Sequence, residues 1–182
     1  MLYEKLDSAY AAAAEAIDLT CEGCDGVVCC TVDLAVHTFI EMTYLRKGFD
    51  ALALVLQSEI LAKSRRMVGA KQQAPNGDDY RKSVCALNFD GACILYEYRP
   101  MICRLAGVPH FFTKPNGSKL ESGGCKRFAE SDSGKISGVI LDRTEFYREM
   151  AAMEIEVVMA RGERTKKLTV AEILASSRPL LA

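Results

Sequence analysis

The chain has 182 residues, of which 23 are basic and 24 are acidic, so its formal net charge is −1. This near-neutral balance predicts no nucleic-acid partner and no general attraction to an anionic membrane surface. The length predicts one domain, residues 1–182, built on a single hydrophobic core.

The N-terminal segment predicts a helix over residues 3–17. It is rich in alanine, and Leu6, Tyr10, Ala13 and Ile17 recur at helical spacing. Charged residues interrupt the run, so it lacks the apolar region of a secretory signal peptide. No apolar run in the chain approaches the ~20 residues that a bilayer-spanning helix needs. We therefore expect a cytoplasmic protein with no membrane partner.

Two further helices are predicted before residue 70. Thr31 suits the N-cap of a helix that runs to Lys47, and Gly48 suits its C-terminal stop. The next helix is predicted over residues 50–67, where apolar residues recur at helical spacing.

The middle of the chain predicts a short β-hairpin around residues 84–98. Residues with high β propensity flank the turn sequence Asn88-Phe-Asp-Gly91, and Asp90-Gly91 favours a tight turn. Residues 113–124 predict a flexible loop, because they contain Pro115-Asn-Gly117 and a Gly-Gly pair.

The C-terminal part predicts two helices, over residues 143–160 and 169–176. An apolar stripe at helical spacing indicates the first, and the capping box Thr169-Val-Ala-Glu172 indicates the second. The expected fold class is therefore mostly α: a small helical domain with a cysteine-rich knuckle and a short β-hairpin.

Eight cysteines are the most informative feature of the sequence: Cys21, Cys24, Cys29, Cys30, Cys85, Cys93, Cys103 and Cys125. The first four form one compact run, and its Cys-x-x-Cys pair suits two sulfur ligands on one metal ion. In a reducing compartment, clustered cysteines more often bind metal or carry out chemistry than form disulfides. We therefore predict all eight as metal-ligand candidates, in motifs at residues 21–30 and 85–125.

Adjacent cysteines are not expected to act as an equivalent pair of ligands. Neighbouring side chains of an extended chain point to opposite faces, so Cys29 and Cys30 are not expected to bind one ion together. Either one of them is a ligand and the other is buried, or the two serve different sites.

Basic side chains near the cysteines are candidates for offsetting thiolate charge. Four thiolates on a divalent ion carry a net double negative charge, which Arg99 and Arg104 are placed in the sequence to balance. We predict these two arginines as cofactor-binding residues. His110 is a weaker candidate for a ligand or an acid–base group, and His37 is expected to be structural.

A family resemblance follows from these motifs. The run Cys21-x-x-Cys24-x4-Cys29-Cys30, with Tyr96-Glu-x-Arg-Pro-x-x-Cys103-Arg104 downstream, resembles the YkgJ-type cysteine-cluster family. The match covers roughly Cys21 to Cys125. The resemblance implies a zinc- or iron-chelating domain, and members of that family are often labelled iron–sulfur proteins.

The metal and the role of the site stay open at this point. Thiolate coordination suits zinc, iron and iron–sulfur clusters. The leading prediction is a metal-binding protein. The alternatives are an iron–sulfur enzyme, acting in electron transfer or in support of protein methyl transfer, and a structural metal site in a protein-interaction domain. No residue is predicted to be catalytic.

Overall fold

The structure is a computed structural model that describes residues 1–20, 30, 35–74, 84–125, 140–162 and 166–176. It is mostly helical with small β-sheets, as the sequence predicts. The chain divides into two compact units, and each combines two separate stretches of sequence. Unit 1 comprises Met1–Cys24 and Met101–Ala160, and unit 2 comprises Asp25–Pro100 and Arg161–Ala182.

Unit 1 combines helices with a three-stranded sheet. Its helices are α1 (Leu2–Ala16), the short α4 (Met101–Arg104) and α5 (Thr144–Arg161), whose last residue falls in unit 2. Its strands are β3 (His110–Thr113), β4 (Lys119–Ser122) and β5 (Leu141–Asp142). β3 lies in the centre, antiparallel to β4 and parallel to β5. α1 packs against α4 and β5, and its buried Leu6 belongs to the core.

Unit 2 is a helical unit with one hairpin. Its helices are α2 (Phe39–Asp50), α3 (Leu54–Gln73) and α6 (Val170–Ala175), with a 3-10 turn over Tyr96–Tyr98. The hairpin pairs β1 (Asn88–Phe89) with β2 (Ala92–Cys93). α6 packs against both α2 and α3, and the fully buried side chains there include Phe49, Ile60, Ile173 and Leu174.

The predicted hairpin turn is present at the predicted residues. Asp90 and Gly91 both have positive φ, at 51° and 84°, which is the conformation that a two-residue hairpin turn of the type favoured by Asp-Gly requires. Asn88 fixes the turn by accepting a hydrogen bond from the Gly91 N–H at its side-chain Oδ1.

The loop predicted over residues 113–124 is wrong in part. Pro115-Asn-Gly117 does form a turn, but that turn joins β3 to β4, so residues 119–122 are extended. The strand was missed because β4 is largely exposed and shows no alternation of buried and exposed positions.

The second helix begins later than predicted. α2 starts after Thr38, whose hydroxyl accepts a hydrogen bond from the Glu41 N–H, while the Glu41 carboxylate accepts one from the Thr38 N–H. This capping box, and not Thr31, sets the first turn. Gly48 lies inside the helix and does not end it, and the ring of Tyr98 packs against it.

Within the described part of the chain, no helix is both long enough and apolar enough to cross a membrane.

Candidate metal centre

Backbone contacts in unit 2 connect the segments that carry three of the predicted cysteine ligands, Cys30, Cys85 and Cys93. The Cys85 N–H donates to the carbonyl oxygen of Cys30 at 2.7 Å, which joins the two backbone segments directly. The Cys85 carbonyl in turn accepts from the Asn88 N–H at 2.9 Å, and Asn88 faces Cys93 across the hairpin. All three cysteines are half-buried. The fold therefore gathers residues that are 63 positions apart in the chain.

The pKa of the Cys93 thiol is shifted by burial and by three neighbouring groups. Burial raises the pKa of the Cys93 thiol, and the neighbouring Cys30 raises it further. A hydrogen bond from the Leu95 backbone N–H and the positive charge of Arg99 act in the opposite direction. A thiolate at Cys93 therefore costs free energy through desolvation, and the site supplies a donor and a cation that partly offset this cost.

Arg99 is held in place beside this group. Its Nε donates to the carbonyl oxygen of Tyr96 at 2.9 Å, and its guanidinium carbon lies 3.4 Å from the centre of the Tyr96 ring. The side chain is thus fixed by a hydrogen bond and by a cation–π contact. Arg99 therefore holds a positive charge where it lowers the pKa of Cys93, a described cysteine of its own unit.

The remaining described cysteines belong to unit 1. Cys103 lies in α4, and Cys125 follows β4, where its N–H donates to the carbonyl oxygen of Gly107 at 2.9 Å. Arg104 is 4% exposed and is paired with Asp7, with 2.5 Å between its Nη1 and the carboxylate oxygen. Its guanidinium also lies over the Tyr3 ring, 4.2 Å from the ring centre. The charge of Arg104 is therefore matched by a carboxylate that sequence reasoning did not connect to it.

The cysteine run itself is only partly described. Cys21, Cys24 and Cys29 lie outside the described residues, as does the Thr31 predicted as an N-cap. Among the residues that are described, no three His, Cys, Asp or Glu side chains are grouped so as to hold a metal ion. None of the five described cysteines forms a disulfide with another of them.

The two histidines have different surroundings. His37 in unit 2 is buried. Its backbone N–H donates to the carbonyl oxygen of Leu168 at 2.9 Å, in an isolated β-bridge. His110 in unit 1 is the first residue of β3 and is also buried, and its Nδ1 lies 3.1 Å from the carbonyl oxygen of Val108. Sequence reasoning missed Arg143, whose buried side chain lies near His110. No sequence signal marks this burial, because a strand pattern would place an apolar residue at position 143.

No protein-family model matches the chain, and no match was found among curated proteins or among solved structures.

Proposed function

We propose that the protein binds zinc, iron or an iron–sulfur cluster through cysteine thiolates, and that Cys30, Cys85 and Cys93 belong to the site. The observation that carries this proposal is that Cys30 and Arg99 both lie close enough to Cys93 to act on the pKa of its thiol, while a backbone hydrogen bond joins Cys85 to Cys30. Sulfur ligands favour zinc and iron–sulfur clusters over magnesium or calcium. The resemblance to the cysteine-cluster family points in the same direction.

The donor set fits such a group in kind. Three thiols are one short of the four that a structural zinc ion or a cluster usually takes. Cys29, which belongs to the same unit and is adjacent to Cys30 in the chain, is the candidate for the missing ligand. Since thiols at this type of site must lose their protons, metal binding should release protons to solvent. Thiols stay reduced in a cytoplasmic environment, which is where we propose that the protein works.

A structural role for the metal is the second candidate, and the hairpin favours it. β1 and β2 have two residues each, and an isolated two-stranded hairpin is at best marginally stable in water. A metal bound by Cys85, Cys93 and Cys30 would link both sides of the hairpin to a third segment of unit 2. Removing the metal should then loosen this unit as well as empty the site.

The decisive experiment is metal analysis of protein purified without oxygen. Stoichiometric zinc in a colourless sample, or iron with absorption near ~400 nm, is the expected result. Cys30→Ser, Cys85→Ser and Cys93→Ser should each lower the metal content, whereas Ala92→Ser, which adds the same hydroxyl beside Cys93, should leave it unchanged. Metal-free wild-type protein with intact thiols, or unchanged metal content in all three cysteine variants, would refute the proposal.

A further inference from the structure

Two buried side chains of unit 1, a histidine and an arginine, lie on the same face of the three-stranded sheet. His110 in β3 is paired with Leu141 in the parallel strand β5, and the Arg143 N–H extends this ladder by donating to the Phe111 carbonyl oxygen at 2.9 Å. Alternate residues of a strand share a face, so Arg143 lies on the side of Leu141 and His110. Burial agrees, because Leu141 and Arg143 are buried while Asp142 between them is exposed.

Arg143 is a buried cation without a matching anion in the described part of the chain. Its side chain is 5% exposed, and its polar contacts are a 2.7 Å hydrogen bond from Nη1 to the Tyr147 hydroxyl and a cation–π contact with the same ring. Its Nε–H is buried with no hydrogen-bond partner among the described residues. The nearest carboxylate in sequence, Asp142, instead accepts from the N–H and hydroxyl of Thr144.

His110 supplies a hydrogen-bond acceptor on the same face of the sheet. A carbonyl oxygen can only accept, so the contact of Nδ1 with the Val108 carbonyl places the imidazole proton on Nδ1. Burial lowers the pKa of His110, and the charge of Arg143 adds to this effect, so the ring is neutral at neutral pH. Its Nε2 then carries a lone pair, and this atom is also buried with no partner in the described residues.

The pair differs from a metal site in its charge. A histidine whose Nδ1–H is held by a carbonyl is oriented as many metal ligands are, but a buried guanidinium beside it would repel a metal cation. What complements this pair is a negative group for the Arg143 donor and an O–H donor for the His110 acceptor. An uncompensated buried charge is costly, and a bound group of this kind would offset that cost.

We infer that Arg143 and His110 bind an oxyanion that retains a hydroxyl group, of which inorganic hydrogen phosphate is the simplest. The Nε–H of Arg143 donates to a charged oxygen, and the P–O–H group donates to Nε2 of His110. Sulfate has no O–H at neutral pH. It can therefore place only an oxygen lone pair against the lone pair of His110 Nε2, and no hydrogen bond forms between them. Phosphate monoesters, with a second pKa of about 6, are mostly in the form without an O–H and bind less well.

Tyr147 covers one side of the Arg143 guanidinium. Its ring centre lies 4.7 Å from the Arg143 guanidinium carbon, and its own side chain is half-buried, so it separates the cation from solvent on that side. The ring also stacks against Phe112, with 5.1 Å between ring centres. Binding of an anion therefore requires the Tyr147 hydroxyl to exchange its contact with Arg143 or to share it with the ligand.

The test is calorimetric titration of the full-length protein with inorganic phosphate, sulfate and methyl phosphate at matched ionic strength. We expect phosphate to bind at least about tenfold more tightly than sulfate, since a hydrogen bond to a charged group is worth about 1.5–3 kcal/mol. Methyl phosphate should resemble sulfate, and binding of methyl phosphate as tight as that of phosphate would contradict the requirement for a hydroxyl group. Absence of phosphate binding, or equal binding of all three ligands, would overturn the inference and leave a buried water as the partner of these atoms.

Variants separate the two contacts. His110→Phe should abolish the preference for phosphate over sulfate while weak anion binding persists, and Arg143→Gln should abolish binding of both. Arg148→Gln removes an exposed arginine from α5, the helix that directly follows Arg143, and is the matched control. A loss of binding there equal to that in Arg143→Gln would contradict the site. If either buried variant fails to fold, the wild-type protein still provides the test. Phosphate should raise its melting temperature more than the same concentration of sulfate does, and an equal effect of the two anions would contradict the inference.

Discussion

The glycine at position 48 offers a test of how unit 2 is packed around the hairpin and Arg99. A Cβ atom built on Gly48 would lie 2.4 Å from Cγ and 2.9 Å from Cβ of Tyr98. These atoms lie at the root of the tyrosine side chain, so they cannot move aside without a change of rotamer. The ring has little room to do so, because it stacks on Tyr44 with 5.0 Å between ring centres.

The expected effect of Gly48→Ala is a balance of two terms. Alanine in a helix interior is favoured over glycine by about 1 kcal/mol. Overpacking of a well-packed site costs about 1–3 kcal/mol, and loss of the contact between Tyr44 and Tyr98 adds about 0.5–1.5 kcal/mol. We therefore expect Gly48→Ala to lower the free energy of unfolding by about 1–3 kcal/mol.

The control is a second helical glycine with open space around it. Gly69 lies in α3, and a Cβ atom there would have no neighbour within 4 Å. Gly69→Ala should therefore stabilise the protein by about 0.5–1 kcal/mol, because only the helix-propensity term remains. Urea unfolding of both variants measures the two signs. A double-mutant cycle then isolates the contact, since Gly48→Ala should become stabilising in a Tyr98→Ala background. An increase in stability of Gly48→Ala in the wild-type background would contradict the close packing of Tyr98 against α2.

Three further predictions concern ion pairs and helix caps. Asp7→Asn should lower the free energy of unfolding by about 1–3 kcal/mol, because it leaves the buried Arg104 without its carboxylate; in urea unfolding, the double variant with Arg104→Met should lose less than Asp7→Asn alone. Thr169→Ala removes the N-cap of α6 and should cost about 1 kcal/mol in the same assay, and no change would argue against the cap. Burial alone would raise the pKa of Glu172, but hydrogen bonds from the Thr169 N–H, Lys71 and the Thr169 hydroxyl hold it below its usual range. The stability that this carboxylate contributes is therefore present above its unfolded pKa of about 4.3 and is lost as the pH falls below that value. Glu172→Gln should make the urea midpoint depend less on pH in the acid range. An unchanged pH dependence in this variant would contradict the assignment.

The parts of the fold that sequence predicts are those set by neighbouring residues. The capping box at Thr169 and Glu172 marks the start of α6, and the Asp90-Gly91 turn marks the hairpin, because in both cases the stabilising contacts lie within four residues. The start of α2 was misplaced although the same capping pattern stands at Thr38. Two threonines compete for that role in the sequence, and local pattern alone does not say which one the rest of the unit selects.

The parts that sequence does not predict depend on distant contacts. Gly48 resembles a helix stop until Tyr98, fifty residues later, is seen to fill the space where a side chain would lie. β4 is recognisable as a strand only through its pairing with β3, since its own residues are largely exposed. Arg143 reads as the first residue of a helix, and its inward direction follows from the ladder that joins β5 to β3.

The same limit applies to the two arginines that the sequence places beside cysteines. Proximity in sequence treats Arg99 and Arg104 as equivalent sources of positive charge for a thiolate site. In the structure, Arg99 is held by Tyr96 and its charge acts on Cys93, whereas Arg104 is buried and paired with Asp7. The charge of Arg104 is therefore balanced within its own unit whether or not metal is bound. Arg99 is accordingly the arginine whose removal should raise the cost of assembling thiolates, and Arg104 the one whose removal should disturb the packing of α1 and α4.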